Sequence, residues 1–400
     1  MDGKTIKLNY STGICTVILL LFVIVISTVF RIPHGVSLAF TVSFAVLAIM
    51  AIQYIAAYPL SVVTMFLLML SFFSVVVNAL VSRQAQIGFS YFKKLIMFDC
   101  TLIFFSTAVD MKVERSARRL LVCAPLLMGV LLCVSYYFLG NRGMIAHSIT
   151  LGFTNPNFTG IWLTHLLFYA VYAVSRVKRR VTRAALLALA AVLTYLIYKT
   201  FARSCFFGIA AYALMLLSGL LTRKTKLNRA ILLGVAILPI FFAFFYLAVV
   251  QTRWFTDAFS FLVAAGKKLN ARNKLWLLAF ASARGHLLLG NYSGISDGLG
   301  TSQLHNTHID VLCSYGLPSL VLFVAFLYEC MDKVNERVQS LPQYLAFCAF
   351  IGCLCIGCLE ASLVAGSTGL YFLTGGFLIL AADNGEEDDS SALPLRHDHG

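Results

Sequence analysis

Two side chains that can bind an anion or move a proton, Arg272 and His305, lie in or beside a polar segment of this largely apolar sequence. Arg272 and Trp276 are four residues apart, so they share one face of a predicted helix. His305 directly precedes an apolar run at which Thr307 and Asp310 have the spacing of a helix capping box. A helix N-terminus favours a nearby anion and a neutral imidazole. A neutral histidine beside a phosphate group can accept a proton from a hydroxyl nucleophile.

Arg203 is a second candidate for binding an anion, because it lies between two apolar runs with Lys199 four residues before it. An arginine near membrane depth is costly and usually faces protein or a water-filled cavity. Its planar guanidinium also matches the oxygens of a phosphate group. Asn155 and Asn157 flank Pro156 and form a further polar turn before an apolar run.

Each candidate also has a simpler interpretation. Arg272 is equally typical of a surface cation, Arg203 of a side chain that extends to the membrane surface, and His305 of a residue near a helix cap. His305, His308 and Asp310 have the side-chain types of metal ligands. Two histidines three residues apart, with no further ligand, are nevertheless a thin signal, and no metal is predicted.

The composition places these residues in a membrane protein. Of 400 residues, 60% are hydrophobic and 12% are charged, and the mean hydropathy is +0.86. A soluble protein of this length carries about a quarter charged residues. We therefore expect lipid to be the solvent for most of the chain. The net charge of +14 then reflects topology signals, anionic lipids or a phosphorylated substrate, and no nucleic acid partner is expected.

About twelve apolar segments are long enough to cross a bilayer, which predicts an all-α polytopic membrane protein. The segments lie near 13–30, 36–57, 60–81, 89–109, 120–139, 153–175, 184–202, 204–221, 230–250, 308–328, 343–363 and 366–382. The membrane domain then extends over residues 1–382 and includes one long polar loop, 251–304, with short helices. Residues 383–400 are predicted to be a disordered, acidic, cytoplasmic tail.

The distribution of lysine and arginine predicts which side of the membrane each loop occupies. If twelve spans alternate, the basic segments 112–119, 176–183 and 223–229 fall on one side with the N-terminus, and we assign that side to the cytoplasm. The segments 141–157, 199–203 and 251–304 then fall on the outer side. Every candidate site residue lies in or next to one of these three outer segments.

Three patches of the sequence resemble the superfamily of O-antigen ligases and O-antigen polymerases, which are bacterial membrane glycosyltransferases. Residues 154–157 (Thr-Asn-Pro-Asn) resemble its Asn-Pro-Asn element, and residues 202–204 (Ala-Arg-Ser) resemble its Ser-Arg-Ser element. The third patch follows the order of the family's signature across the outer loop and the next span: Arg272, Trp276, Gly290, His305, Asn306, Tyr315 and Gly316. Ala202 stands where the family often has serine, and the glycine-rich segment departs from the family's usual form.

The resemblance implies a GT-C-like fold that transfers a glycan from a polyprenyl-diphosphate-linked oligosaccharide to a sugar hydroxyl, without a metal or other cofactor. It implies that Arg203 and Arg272 bind the diphosphate and that His305 orients or deprotonates the acceptor. Further residues predicted to bind substrate are Lys199, Asn155, Asn157, Trp276, Asn306 and His308. The site would face outward from a bacterial cytoplasmic membrane, where other polysaccharide-assembly proteins are candidate partners.

Polymerisation of O-antigen, capsule or exopolysaccharide repeat units is the favoured reaction, because the sequence has no large outer domain devoted to a distinct acceptor. Ligase-type transfer of a finished glycan to a terminal acceptor uses the same donor and is an alternative. A transporter or flippase of lipid-linked oligosaccharide is an alternative of another class. Transporters place ionisable residues near mid-membrane, where Asp99 and Glu360 are the main candidates in this sequence.

Overall fold

Long apolar helices make up most of the part of the chain that the computed structural model describes. The described residues are 10–32, 35–57, 59–82, 85–111, 113–140, 143–145, 148–153, 155–222, 225–249, 252–258, 260, 271–291, 304–361 and 368–383. The tail 384–400, the glycine-rich residues 292–300 and much of the remaining outer loop lie outside these ranges.

The helices follow the predicted apolar segments in chain order. They are α1 (Tyr10–Val29), α2 (Gly35–Ala57), α3 (Val62–Ser82), α4 (Ala85–Ala108), α5 (Arg115–Tyr137), α6 (Pro156–Arg176), α7 (Arg180–Thr200), α8 (Arg203–Thr222), α9 (Arg229–Val249), α10 (Arg253–Ala258), α11 (Ala271–Arg284), α12 (Thr307–Arg337), α13 (Leu341–Ile356) and α14 (Thr368–Ala382). A short antiparallel hairpin, β1 (Met144–Ile145) and β2 (Ser148–Ile149), precedes α6. The outer loop contributes the short helices α10 and α11.

Eight of the described helices are long and apolar enough to cross a membrane: α1, α3, α5, α6, α7, α8, α9 and α12. Shorter apolar helices lie within α2, α13 and α14. Exposed side chains such as Phe72, Leu187 and Leu214 give these helices apolar outer faces, as lipid requires. The chain is therefore an all-α polytopic membrane protein, and the total of twelve spans stays a prediction.

Ion pairs at one end of the bundle bring together segments that the charge distribution assigns to the cytoplasm. Arg118 in α5 pairs with Asp383, directly after α14. Arg337 at the end of α12 pairs with Asp110, directly after α4. The connection between α4 and α5, the end of α12 and the start of the tail thus share one end of the bundle, which is what alternating spans require.

The helix α12 is longer than the predicted span 308–328 and consists of two parts. Gly316 has φ 87° and ψ 173°, so the helix is interrupted there. The segment that follows α11 runs along this interruption: the N–H of Leu317 donates to the carbonyl of Leu287 at 2.7 Å, and the N–H of Asn291 donates to that of Cys313 at 2.8 Å. These bonds satisfy backbone groups that the interruption removes from the helical ladder.

Two polar side chains of α3 hold the same segment from the other side. The amide of Asn78 donates to the carbonyl of Leu289 at 3.1 Å, and the hydroxyl of Ser74 donates to that of Ser314 at 3.2 Å. Buried backbone without such partners is costly in a membrane. The first part of α12, which begins beside His305, is therefore fixed by α3 and by the segment after α11.

The close approach at Gly316 predicts that Gly316→Ala destabilises the fold. A Cβ there would lie 2.4 Å from the carbonyl oxygen of Leu288, and the positive φ is itself unfavourable for alanine. We expect a loss of about 2 kcal/mol or more in the free energy of unfolding, measured as a lower Tm of the detergent-purified protein. Gly234→Ala is the control, because a Cβ at this position in α9 meets nothing within 4 Å. An equal Tm for the two variants would contradict the interpretation.

Candidate functional site

The carboxylate of Glu360 joins three of the predicted site residues. Its Oε1 accepts hydrogen bonds from Nη2 of Arg272 at 2.6 Å and from Nδ2 of Asn157 at 3.0 Å. Its Oε2 lies 2.8 Å from Nδ1 of His305. Only 9% of the Glu360 side chain and 8% of the Arg272 side chain are exposed, against 28% for His305. A buried charge is tolerated when it is paired and hydrogen-bonded, and here the partners come from three separate segments.

Asn157 reaches Glu360 because of the way in which α6 begins. Asn155 is the N-cap residue, and its side-chain oxygen accepts from the N–H of Asn157 at 2.8 Å. Pro156 takes the first helical position, where its lack of an N–H costs nothing. The Asn-Pro-Asn turn therefore fixes the start of a membrane helix and directs the second asparagine into the site. The predicted contact between Asn155 and a substrate stays a prediction.

Arg272 and Trp276 both lie on the buried face of α11, as their spacing predicts. The indole N–H of Trp276 donates to the carbonyl of Leu304 at 2.7 Å, and its ring packs against that of Tyr246. Leu304 directly precedes His305. The completely buried Trp276 therefore fixes the backbone beside the histidine and acts as a positioning residue in this structure.

His305 adopts a left-handed backbone conformation, with φ 53°. This conformation is unfavourable for a residue with a Cβ and persists only where the surrounding contacts impose it. The next residue, Asn306, caps α12: its Oδ1 accepts from the N–H groups of His308 and Ile309 at 3.0 Å each. The helix thus starts one residue earlier than the predicted capping box of Thr307 and Asp310 requires. The sharp turn before the cap directs the imidazole toward Glu360.

Asn306 and His308 serve the scaffold rather than an open site. Nδ2 of Asn306 donates to the carbonyls of Pro239 at 2.8 Å and Cys358 at 3.0 Å. Nε2 of His308 lies 2.7 Å from the carbonyl of Ala236 in α9. Both side chains are buried. These contacts favour a structural role for the two residues over the predicted contact with substrate.

The turn that carries Glu360 is held by the start of α12. The helix α13 ends at Ile356, well before the predicted end of its span at 363. The N–H of Thr307 donates to the carbonyl of Gly357 at 2.9 Å, and the Thr307 hydroxyl donates to that of Glu360 at 3.2 Å. The N–H groups of residues 357–360 still bond to carbonyls three or four residues back, so the chain continues as a turn after α13 and places Glu360 beside the start of α12. The prediction of Glu360 as a mid-span charge was wrong for this reason.

Arg203 lies at the first position of α8, after an abrupt break. The helix α7 ends at Thr200, and Phe201 takes a left-handed conformation with φ 50°. Lys199 and Arg203 therefore do not share the face of one helix, contrary to their four-residue spacing. The ammonium of Lys199 lies over the ring of Tyr195, 5.4 Å from its centroid.

Arg203 nevertheless lies close enough to Arg272 to interact with it electrostatically. Burial lowers the pKa of Arg272, the positive charge of Arg203 lowers this pKa further, and Glu360 opposes the shift. Nη1 of Arg272 is buried and has no hydrogen-bond partner among the described residues. A buried donor without a partner is unfavourable, and two neighbouring guanidinium groups repel each other. An anion bound at Nη1 would relieve both effects.

Glu360 is ionised in this arrangement. Burial alone would raise its pKa, but the charge of Arg272 and the hydrogen bond from His305 lower it, and the pKa lies below that of an ordinary glutamate. Sequence analysis missed its role because hydropathy places residue 360 inside an apolar span. A signal was present: an acid in a predicted membrane segment is costly and indicates function by default.

The site has few groups that bind metals. Among the described residues, no three His, Cys, Asp or Glu side chains are grouped so that they could hold a metal ion.

No protein-family model matches the chain, and no curated protein matches it. The interpretation of the site therefore depends on its own geometry and chemistry.

The depressed pKa of Glu360 predicts how stability depends on pH. A carboxyl whose pKa is lower in the folded state stabilises fully above the ordinary glutamate value, and this contribution is lost as the pH falls through the folded-state pKa. Glu360→Gln leaves Arg272 buried without a counter-charge, so we expect a loss of about 3 kcal/mol or more at neutral pH. The difference in Tm from the unmodified protein should shrink toward acid pH.

Glu336→Gln is the matched control for this pH series. Glu336 is a mostly exposed partner of the mostly exposed Arg229 at the other end of the bundle. Solvent screens such a pair, so its loss should change the Tm little at any pH. A Glu360→Gln protein as stable as this control would show that the buried ion pair does not support the fold.

Proposed function

We propose that the protein is a membrane glycosyltransferase that moves a glycan from a polyprenyl-diphosphate-linked donor to a sugar hydroxyl. One observation carries this proposal most directly: Arg272 holds Glu360 with one nitrogen, while its other terminal nitrogen is buried without a partner among the described residues. Arg203 adds a second positive charge, and Glu360 connects Arg272 to His305. The site therefore combines groups for binding an anion with a group for accepting a proton.

The roles follow from the charge that develops during transfer. The acceptor oxygen forms a bond to the anomeric carbon, and the bond from that carbon to the diphosphate oxygen breaks. The leaving diphosphate keeps the electron pair, and Arg203 and Arg272 stabilise its charge, most strongly where water is excluded. The imidazole of His305 takes the acceptor proton, and ionised Glu360 stabilises the resulting imidazolium. A direct displacement of this kind inverts the anomeric configuration.

The position of the site suits a donor that is anchored in lipid. Glu360, Arg203 and Arg272 lie at ends of membrane helices or in α11, not at mid-helix. A polyprenyl chain can remain in the bilayer while its diphosphate reaches that level. Together with the resemblance of the sequence, this placement supports a site on the outer face of a bacterial cytoplasmic membrane.

Polymerisation of polysaccharide repeat units is our preferred reaction, and ligation of a finished glycan to a terminal acceptor is the alternative. The donor chemistry is the same in both, so the site residues are expected to be shared.

A flippase is less well supported, because Glu360 belongs to the site at the end of the bundle. Of the two predicted mid-membrane acids, this leaves Asp99, which accepts a hydrogen bond from Ser71 at 3.0 Å.

A direct assay separates these functions. The purified full-length protein is incubated with a lipid-diphosphate-linked oligosaccharide in the presence of EDTA. A ladder of longer products supports a polymerase, whereas a product that forms only with an added acceptor supports a ligase. Absence of transfer in both conditions, together with scrambling of the lipid in vesicles, would overturn the transferase proposal.

Substitutions test the assigned residues in the same assay. We expect Arg203→Ala, Arg272→Ala and His305→Ala each to lower kcat by at least about a hundredfold. The arginines stabilise the charge of the leaving group, and His305 takes the acceptor proton. Arg253→Ala is the control: this arginine of the same loop is 95% exposed and pairs only loosely with Asp257, at 3.8 Å. Normal transfer by any of the first three variants, at equal Tm, removes that residue from the proposal.

A further inference from the structure

We propose that Glu360 couples donor binding to proton uptake: a diphosphate bound at Arg272 causes the Glu360–His305 pair to take up one proton. This inference rests on the proposed transferase function and concerns regulation within the same site. In the complete reaction, the proton comes from the acceptor hydroxyl. The donor would thus prepare the base for the acceptor.

The Glu360 carboxylate contacts both halves of the site, the anion-binding arginine and the proton-accepting histidine. Its Oε1 accepts from Arg272 at 2.6 Å, and its Oε2 lies 2.8 Å from Nδ1 of His305. Any ligand that competes for the charge of Arg272 therefore changes how strongly the carboxylate interacts with the imidazole. The two halves are coupled through a single side chain, without movement of a helix.

Binding of the diphosphate changes the net charge of the buried site. With a neutral imidazole, Arg203, Arg272 and Glu360 together carry one net positive charge. A diphosphate diester brings two negative charges, so the occupied site becomes net negative. Charges interact strongly where water is excluded, and adding a proton to the pair restores neutrality. The low pKa of Glu360 in the absence of ligand depends chiefly on Arg272, which the diphosphate would partly neutralise.

Two other charged groups lie near His305 or near its neighbours. On α12, Asp310 is close enough to interact electrostatically with His305, and on α4 Lys94 is close enough to interact with Asp310. These two charges oppose each other, so they do not supply the counter-charge that the diphosphate requires. On the described elements around the imidazole, Glu360 is the carboxylate in direct hydrogen-bond contact with it.

The coupling also concerns the order of binding. Before the donor binds, Arg272 competes with the imidazole for the charge of Glu360. After the donor binds, the pair accepts a proton more readily, from the hydroxyl of a bound acceptor or, without an acceptor, from water. An imidazole protonated from water must release that proton before it can serve as the base, so the acceptor must be in place for transfer to proceed directly. By linkage, protonation of the pair must in turn strengthen donor binding.

Calorimetric titration of the intact, detergent-solubilised protein tests the coupling. The probe is farnesyl methyl diphosphate, a diester whose phosphates stay ionised near neutral pH, so any proton taken up belongs to the protein. The heat of binding is measured in buffers with different enthalpies of ionisation, which gives the number of protons taken up per bound ligand. We expect uptake of up to about one proton, largest between the pH at which the bound pair loses its proton and the lower pH at which the free pair gains one, and smaller on either side.

Variants locate the proton. His305→Gln should bind the probe with no uptake, and Glu360→Gln should show less uptake because a neutral amide cannot stabilise an imidazolium. His286→Gln is the control, since His286 is an exposed histidine of the same region, after α11, and should leave the uptake unchanged. Undiminished uptake in His305→Gln would overturn the assignment.

Titration of the unmodified protein alone decides whether binding of the probe is coupled to proton uptake. Binding of the probe without proton uptake would overturn the coupling and leave the transferase function standing. Failure to bind the probe at all would count against the proposed function itself. The two failures are therefore distinguishable, even if a variant does not fold.

Discussion

The buried carboxylate of Glu360 is the interaction on which the arrangement of the site depends. It holds groups from the start of α6, from α11 and from His305, which precedes the N-cap of α12. Without it, Arg272 would be a buried cation beside another cation, an arrangement that the fold could not retain. The same negative charge also gives the imidazole of His305 its orientation. The chemistry and the local stability of this end of the bundle thus share one origin.

Sequence patterns identify the partners of this carboxylate but not the carboxylate itself. The four-residue spacing of Arg272 and Trp276 correctly predicts a shared helical face, because that face is a local property. The turn at residues 357–360 has local backbone bonds, but donors from the start of α12 hold its carbonyls, and no local pattern in the sequence indicates that tertiary contact. Hydropathy extends the span through Glu360 because nothing nearby in the sequence breaks it.

The same contrast applies to the rest of the fold. Apolar segment lengths predict the helices well, because a backbone in lipid must satisfy its own hydrogen bonds. The interruption of α12 is harder to predict, although Gly316 and Pro318 are visible in the sequence. Its cause is the insertion of the segment after α11 against Gly316 and under Ser74 and Asn78, which depends on tertiary contact. The break between α7 and α8 at Phe201 is equally hard to predict, because no glycine or proline marks it in the sequence.

The carboxamide of Asn306 constrains how this sequence can vary. It uses its full capacity for hydrogen bonds, two accepted and two donated, at the junction of α9, α12 and the turn before α14. Aspartate lacks the donors, serine lacks the reach, and glutamine would push the three backbones apart by a methylene group. No conservative substitution of Asn306 keeps all four hydrogen bonds. In related chains that keep this junction of backbones, the asparagine should therefore persist.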